Sequence, residues 1–144
     1  FSSPEHGKPS TSLQSDEIVL EIVIPAHSLR LEGKSIQVKS VFKKLAFRKS
    51  IDFALVNCAT CVGLDGDKVA HIRVCLNGVY NNPLRAVEAE EYLLGKELTE
   101  ETVQEAARLA LEKAKPMPAT QYKVHLAQSI LGDCLLGKVC CSHY

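Results

Sequence analysis

Residues 42–78, FKKLAFRKSIDFALVNCATCVGLDGDKVAHIRVCLNG, read as a basic strand, a charged corner and a hairpin of long apolar strands. After the corner, Ile51, Phe53, Leu55 and Ala59 alternate onto one face, and Ala54, Val56, Cys58 and Val62 onto the other. Neither face is polar, so this strand is predicted to lie at a sheet centre or between layers. At Asp65-Gly66-Asp67 the chain has the chemistry of a tight turn, because glycine accepts positive φ without a Cβ clash. Ala70, Ile72, Val74 and Leu76 then alternate with His71 and Arg73, so the returning strand shows one face to water. The polar groups that could do chemistry gather at the corner: Lys43, Lys44, Arg48, Lys49 and Asp52. A charged rim on a core element suits a ligand with negative charge and a flat apolar body. Such a run also serves as a solvated edge that discourages edge-to-edge strand pairing.

Upstream, Phe1 to Ser15 has turn composition and reads as loop. Ile18, Leu20, Ile22 and Ile24 alternate with Val19, Glu21 and Val23, which predicts a strand that Pro25 stops. Ala26 to Lys34 is polar and loop-like, and Ser35 to Ala46 alternates as a strand interrupted by lysines. Downstream the period becomes helical. Pro83 fits a first turn, Leu84, Val87 and Leu94 share a face, and Gly95 stops that helix. Thr99 is placed as the N-cap of the next, with Leu98 and Val103 spaced for a hydrophobic staple and Glu100 and Glu101 favoured by the helix dipole. Lys113 and Lys115 complement its far end, and Pro116 and Pro118 end it. The last helix spans about Thr120 to Leu136, with Val124, Ala127, Leu131 and Leu135 on one face and Tyr122, Leu126 and Ile130 on another, so it is expected to be largely buried. Strands first and helices second predict an α+β fold: an antiparallel β-sheet layered against three C-terminal α-helices.

The 144 residues suffice for one domain with its own core. Basic and acidic residues balance at 17 each, so no overall field draws the chain to nucleic acid or to an anionic membrane. No apolar run approaches the roughly 20 residues of a membrane span, and the first residues lack the pattern of an export signal. A first residue of Phe and a tract of Ser, Pro, Gly and charge suggest a processed or excised piece. The six cysteines sit mostly in apolar segments, where a free thiol behaves as a small hydrophobe; they are read as reduced, in a cytoplasm.

Cys58-Ala-Thr-Cys61 has metal-ligand spacing, but in a strand its two thiols point to opposite faces, and Cys140-Cys141 lacks the intervening residues of a second pair. A small cysteine-metal protein is therefore a minor alternative. Cys75 and His125 are residue types for a nucleophile and a base, yet both fall on elements that read as buried, with no orienting carboxylate. No glycine-rich dinucleotide loop, phosphate loop or nucleophile elbow occurs, and nothing marks the chain as a complete enzyme.

Four segments in order and spacing carry a family resemblance: SDEIVLEIVIP (15–25), KLAFRKSIDFALV (44–56), Leu76-Asn77-Gly78-Val79 with Pro83-Leu84-Arg85-Ala86, and YKVHLA (122–127). Together, over about Leu13 to Leu136, they resemble the C-terminal domain of the FAD-binding (medium) subunit of molybdenum hydroxylases, the xanthine dehydrogenase and carbon monoxide dehydrogenase flavoprotein family. The resemblance implies that residues 1–40 end the preceding FAD-binding subdomain, 41–136 form the flavoprotein C-terminal domain and 137–144 are a tail. It implies a flavin carrying electrons from a [2Fe-2S] partner subunit, fed by a molybdopterin subunit, to an acceptor such as NAD or a quinone. By position, Lys44 matches a lysine near the isoalloxazine, Ile18 and Val19 match residues packing beside the ring, and Arg48 and Asp52 match the basic and acidic corner of the pocket. The family's glycine-rich loops for the FAD pyrophosphate lie upstream of everything present here, so FAD would be shared with residues outside this chain. Asn77 and Phe47 depart from the family pattern of a glycine and a second basic residue. A cofactor-free assembly module, docking iron–sulfur or molybdopterin subunits, is the alternative from a different class.

Overall fold

The hairpin expected around Asp65-Gly66 forms the middle of the sheet. The computed structural model describes residues 11–23, 30–31, 34–36, 38–48 and 51–137. In chain order the elements are β1 (Arg30–Leu31), β2 (Lys34–Ser35), β3 (Val38–Leu45), β4 (Val56–Asp65), β5 (Lys68–Asn77), β6 (Leu84–Arg85), α1 (Val87–Leu93), α2 (Glu100–Ala110) and α3 (Tyr122–Leu135), with a 3-10 turn at Pro118–Thr120. Among the described residues β1 and β2 pair only with each other, and the four-stranded antiparallel sheet has the order β3-β4-β5-β6. Gly66 turns the hairpin at φ +63°, and the register shifts between Gly63 and Leu64.

Alternation decides which face the helices cover. Val56, Cys58, Thr60, Ile72, Val74 and Leu76 are buried on the inner face. Above them lie Ala89 and Leu93 of α1, Val103, Ala106 and Ala107 of α2, and Ala127, Ile130 and Leu131 of α3. Fully burying each large aliphatic side chain contributes about 1.5–3 kcal/mol, so this shared layer holds sheet and helices together. Ser40, Phe42 and Lys44 of β3, Ala59 of β4 and Arg73 of β5 lie on the open, outer face. The architecture is α+β, a sheet layered against three helices.

The helix ends follow local chemistry. Thr99 caps α2: its hydroxyl accepts from the Thr102 amide at 3.2 Å, and the Thr102 hydroxyl accepts from the Thr99 amide at 2.9 Å. Arg108 occupies the last turn of α2, whereas Lys113 and Lys115 lie beyond it.

Several elements differ from the sequence expectation. Residues 17–23 form no ladder among the described residues, and Ile18, Leu20 and Ile22 are 78%, 87% and 83% exposed. An alternating segment specifies a face to bury but not the strand it pairs with. The apolar run from Ile51 does not begin a strand: β4 starts at Val56, and Ile51 and Phe53 are fully exposed. The expected first helical turn at Pro83-Leu84 is instead β6, because Cys75 and Leu76 of β5 offer an open edge to pair with. α1 consequently starts at Val87 and buries Ala89, Glu90 and Leu93, leaving Val87 and Leu94 partly outside. Two paired residues at each of β1 and β2 lie within or beside the polar stretch read as loop. Ile24, Pro25, Lys49, Cys140, Cys141 and the tail from residue 138 lie outside the described residues.

Candidate functional site

The described part of the β3–β4 connection, residues 46–48 and 51–55, is a charged corner closed by its own hydrogen bonds. Its ends are clamped by the Leu55 amide donating to the Leu45 carbonyl at 2.8 Å. Within it, the Lys44 ammonium donates to the Asp52 main-chain oxygen at 3.0 Å. Arg48 brackets the Asp52 carboxylate, with Nε donating to Oδ2 at 3.1 Å and Nη2 to Oδ1 at 3.4 Å. The Phe53 amide also donates to Oδ1, at 3.1 Å, so the aspartate fixes the backbone on both sides of itself. The Arg48 hydrogen bond is the main reason that the Asp52 carboxyl is held below its ordinary value, helped by the Phe53 amide and the Lys44 charge. Asp52 is therefore an anion at neutral pH, and Lys44 keeps its ammonium pinned to a backbone carbonyl instead of a carboxylate.

Three of the site residues expected from sequence, Lys44, Arg48 and Asp52, are thus brought into one constellation. Exposed Phe47, Ile51 and Phe53 flank it. Sequence patterning assigned Ile51 and Phe53 to the interior, and nothing in their alternation distinguishes a buried face from a surface that another element covers. Ile18 and Val19 belong to no helix or strand and have 78% and 61% of their surface exposed. Lys43, one residue from Lys44, points to the inner face, where its ammonium lies 3.9 Å from Asp133 of α3.

The other candidates separate. Cys75 belongs to the sheet and His125 is exposed on α3, the opposite layer, so they do not assemble a nucleophile and base. Cys58 is buried under α3, where the Cys134 thiol donates to the Cys58 carbonyl at 3.8 Å, while Cys61 faces the other side of β4. The neighbouring Cys134 thiol and burial push the Cys58 thiol far up, so it stays protonated. Among the described residues no group of three or more His, Cys, Asp and Glu could hold a metal ion.

Glu90 was not singled out by the sequence. Its buried carboxylate accepts from the Val74 amide at 2.8 Å and from Arg85 Nε and Nη2 at 2.8 and 2.6 Å, with Arg73 at 3.8 Å. Burial opposes its charge, but Arg85 and the Val74 amide prevail and hold the carboxyl below its usual range. The signal available was a glutamate on a helix face otherwise occupied by Ala89 and Leu93.

Fold and corner together define an α+β module with a charged, apolar-flanked rim at the end of an edge strand. Residues 40–137 match the CO dehydrogenase flavoprotein C-terminal domain, and the chain belongs to that family. The carbon monoxide dehydrogenase medium chain of Hydrogenophaga pseudoflava is 34% identical over 110 residues, covering 76% of this chain and 36% of the relative. The nicotinate dehydrogenase FAD-subunit of Eubacterium barkeri is 31% identical over 140 residues, covering 90% and 43%. Among solved structures, carbon monoxide dehydrogenase from Hydrogenophaga pseudoflava lacking the Mo-pyranopterin moiety superimposes with a TM-score of 0.64 at 35% identity, over 69% of this chain and 36% of that one. The chain therefore spans less than half the length of these relatives.

Proposed function

We propose that this chain is the C-terminal part of the FAD-binding subunit of a molybdopterin-dependent hydroxylase, with Lys44 and the Ile18–Val19 segment forming one wall of the flavin site. The observation that carries this reading is the Lys44–Asp52–Arg48 corner lying inside the matched family region. On this reading residues 1–40 end the preceding FAD-binding subdomain, residues 41–136 form the domain proper and 137–144 are a tail.

The residues present fit part of a flavin. Lys44 offers a fixed cation, and exposed Ile51 and Phe53, the chain neighbours of Asp52, offer apolar surface. Nothing in the sequence resembles a pyrophosphate-binding glycine loop, so the rest of the site belongs to upstream residues. When bound, FAD supplies electron transfer from a [2Fe-2S] partner, itself fed by a molybdopterin subunit, to an external acceptor. Lys44 would then offer a fixed positive charge to the ring, and Asp52 holds that lysine in place through its main-chain oxygen. Arg48 neutralises the Asp52 carboxylate, so the aspartate does not repel the cofactor. Ile18 and Val19 would exclude water from the ring. The free thiols Cys58, Cys61, Cys75 and Cys134 accord with a reducing, cytoplasmic compartment.

The exposed apolar side chains of the corner also favour a second reading, a cofactor-free module that docks iron–sulfur or molybdopterin subunits. Flavin titration separates them. FAD added to this chain, and to this chain extended by the upstream portion of its subunit, is followed by quenching of flavin fluorescence. Binding by the extended form alone supports the shared flavin site; binding by neither leaves the docking module and withdraws the assignments of Lys44, Ile18, Val19, Arg48 and Asp52.

A further inference from the structure

A second concavity, whose lining shares no residue with the corner, lies between the turn after β5, the start of α1, the end of α2 and the start of α3. It encloses about 630 Å³, within the roughly 300–1,000 Å³ typical of small-molecule sites. Leu84, Leu111, Met117 and Val124 give it apolar walls, and Tyr80 stands at its side. Its charges are not equivalent. Arg85 is committed to Glu90 at 2.6 Å, and Lys113 to Glu88 at 2.6 Å. Lys123 is partly buried, and its ammonium donates to the Gly78 carbonyl at 3.1 Å, with no carboxylate partner among the described residues. A cation beside apolar walls whose protein partner is a carbonyl dipole and no carboxylate keeps donors free for an anion. Lys115 at the rim adds to the positive surplus.

We infer that this cleft binds a small amphipathic anion, a monocarboxylate with an apolar chain or ring. The carboxylate takes the donors that Lys123 does not give to Gly78, and the apolar body lies against Leu84, Leu111 and Met117. The site is separate from the charged corner and does not rest on the flavin reading.

Octanoate and its neutral counterpart octanol are titrated into the 144-residue chain, with backbone amide shifts as the readout. The expected result is saturable octanoate binding, with shifts confined to residues 79–88 and 110–124, and much weaker effects of octanol. Lys123→Gln weakens octanoate by about tenfold, as loss of one charge-assisted bond predicts, while Lys123→Arg retains most of the affinity. Met117→Asp, at a position 68% exposed and so safe for folding, places a repelling charge at the wall and abolishes octanoate binding. The inference is overturned by no saturable binding, by shifts that centre on Ile18–Val23 or the 46–55 corner, by equal binding of octanol, or by unchanged octanoate affinity in Lys123→Gln or Met117→Asp.

Discussion

Lys44 and Asp52 are eight residues apart in sequence and joined by a 3.0 Å hydrogen bond from the lysine ammonium to the aspartate main-chain oxygen. The bond spans the mouth of the 46–55 connection. It fixes the cation by the backbone fold and leaves the Asp52 carboxylate to Arg48.

Replacing Lys44 tests the flavin wall. In the intact, FAD-loaded subunit, Lys44→Ala is expected to lower the flavin midpoint potential, because a reduced ring loses its neighbouring cation. The side chain is exposed, so thermal unfolding is expected to change within about 0.5 kcal/mol. A potential equal to wild type in spectroelectrochemical titration removes Lys44 from the flavin site.

The corner is expected to respond to acid. The folded Asp52 carboxyl lies below its ordinary value of 3.8, so its contribution is complete above that value and is lost as pH falls through the lower, folded one. The Phe53 amide reports this directly, since it donates to Oδ1. Its chemical shift should titrate below the ordinary aspartate range in wild type and stay flat in Asp52→Asn.

Glu90 ties α1 to β5 through the Val74 amide and to β6 through Arg85. Glu90→Gln removes the charge from three hydrogen bonds and is expected to destabilise by about 1–3 kcal/mol. Because the folded carboxyl is depressed, the wild-type advantage is present above the ordinary glutamate value and fades as pH falls through the depressed one. Urea denaturation of both proteins at neutral and acid pH should show the difference shrinking; a constant difference would contradict the assignment.

Gly78 and Gly66 both adopt positive φ, +79° and +63°, but in different surroundings. A Cβ at Gly66 meets nothing within 4 Å, whereas one at Gly78 falls 2.9 Å from the Leu55 carbonyl oxygen. Gly66→Ala should therefore cost only the conformational penalty, about 1–2 kcal/mol. Gly78→Ala should cost more and also shift the amides of residues 53–56. Equal destabilisation of the two variants in chemical denaturation would refute the close approach.

Thr60 is buried on the inner face of β4, and its hydroxyl has no hydrogen-bond partner among the described residues. Thr60→Val keeps the shape and removes the unsatisfied group, so stability should rise by about 1 kcal/mol. A loss of stability on denaturant titration would reveal a partner for the hydroxyl.

Much of the fold was legible because local rules and tertiary packing agree. The hairpin at Asp65-Gly66, the buried alternation of Ile72, Val74 and Leu76, the Thr99 cap and the inner face of α3 all follow from spacing alone. The misreadings share one cause. Ile18, Ile51 and Phe53 are apolar and suitably spaced, yet exposed, because period records that a side chain can be buried and not what it is buried against. Pro83-Leu84-Arg85 reads equally as a helix start, and only the free edge of β5 makes it a strand.

By itself, the sequence determined the order of strands and helices, the turn and cap positions, the family resemblance and the concentration of charge between Lys43 and Asp52. These are set by dihedral preference, side-chain period and residue type, which act over a few neighbouring residues. Tertiary structure alone decided that Lys44 faces outward while Lys43 faces Asp133, that Glu90 becomes the buried partner of Arg85, and that Lys123 is left at the edge of an apolar cleft. Each depends on which strand lies beside which helix, and on how far a charge is taken from water when they close.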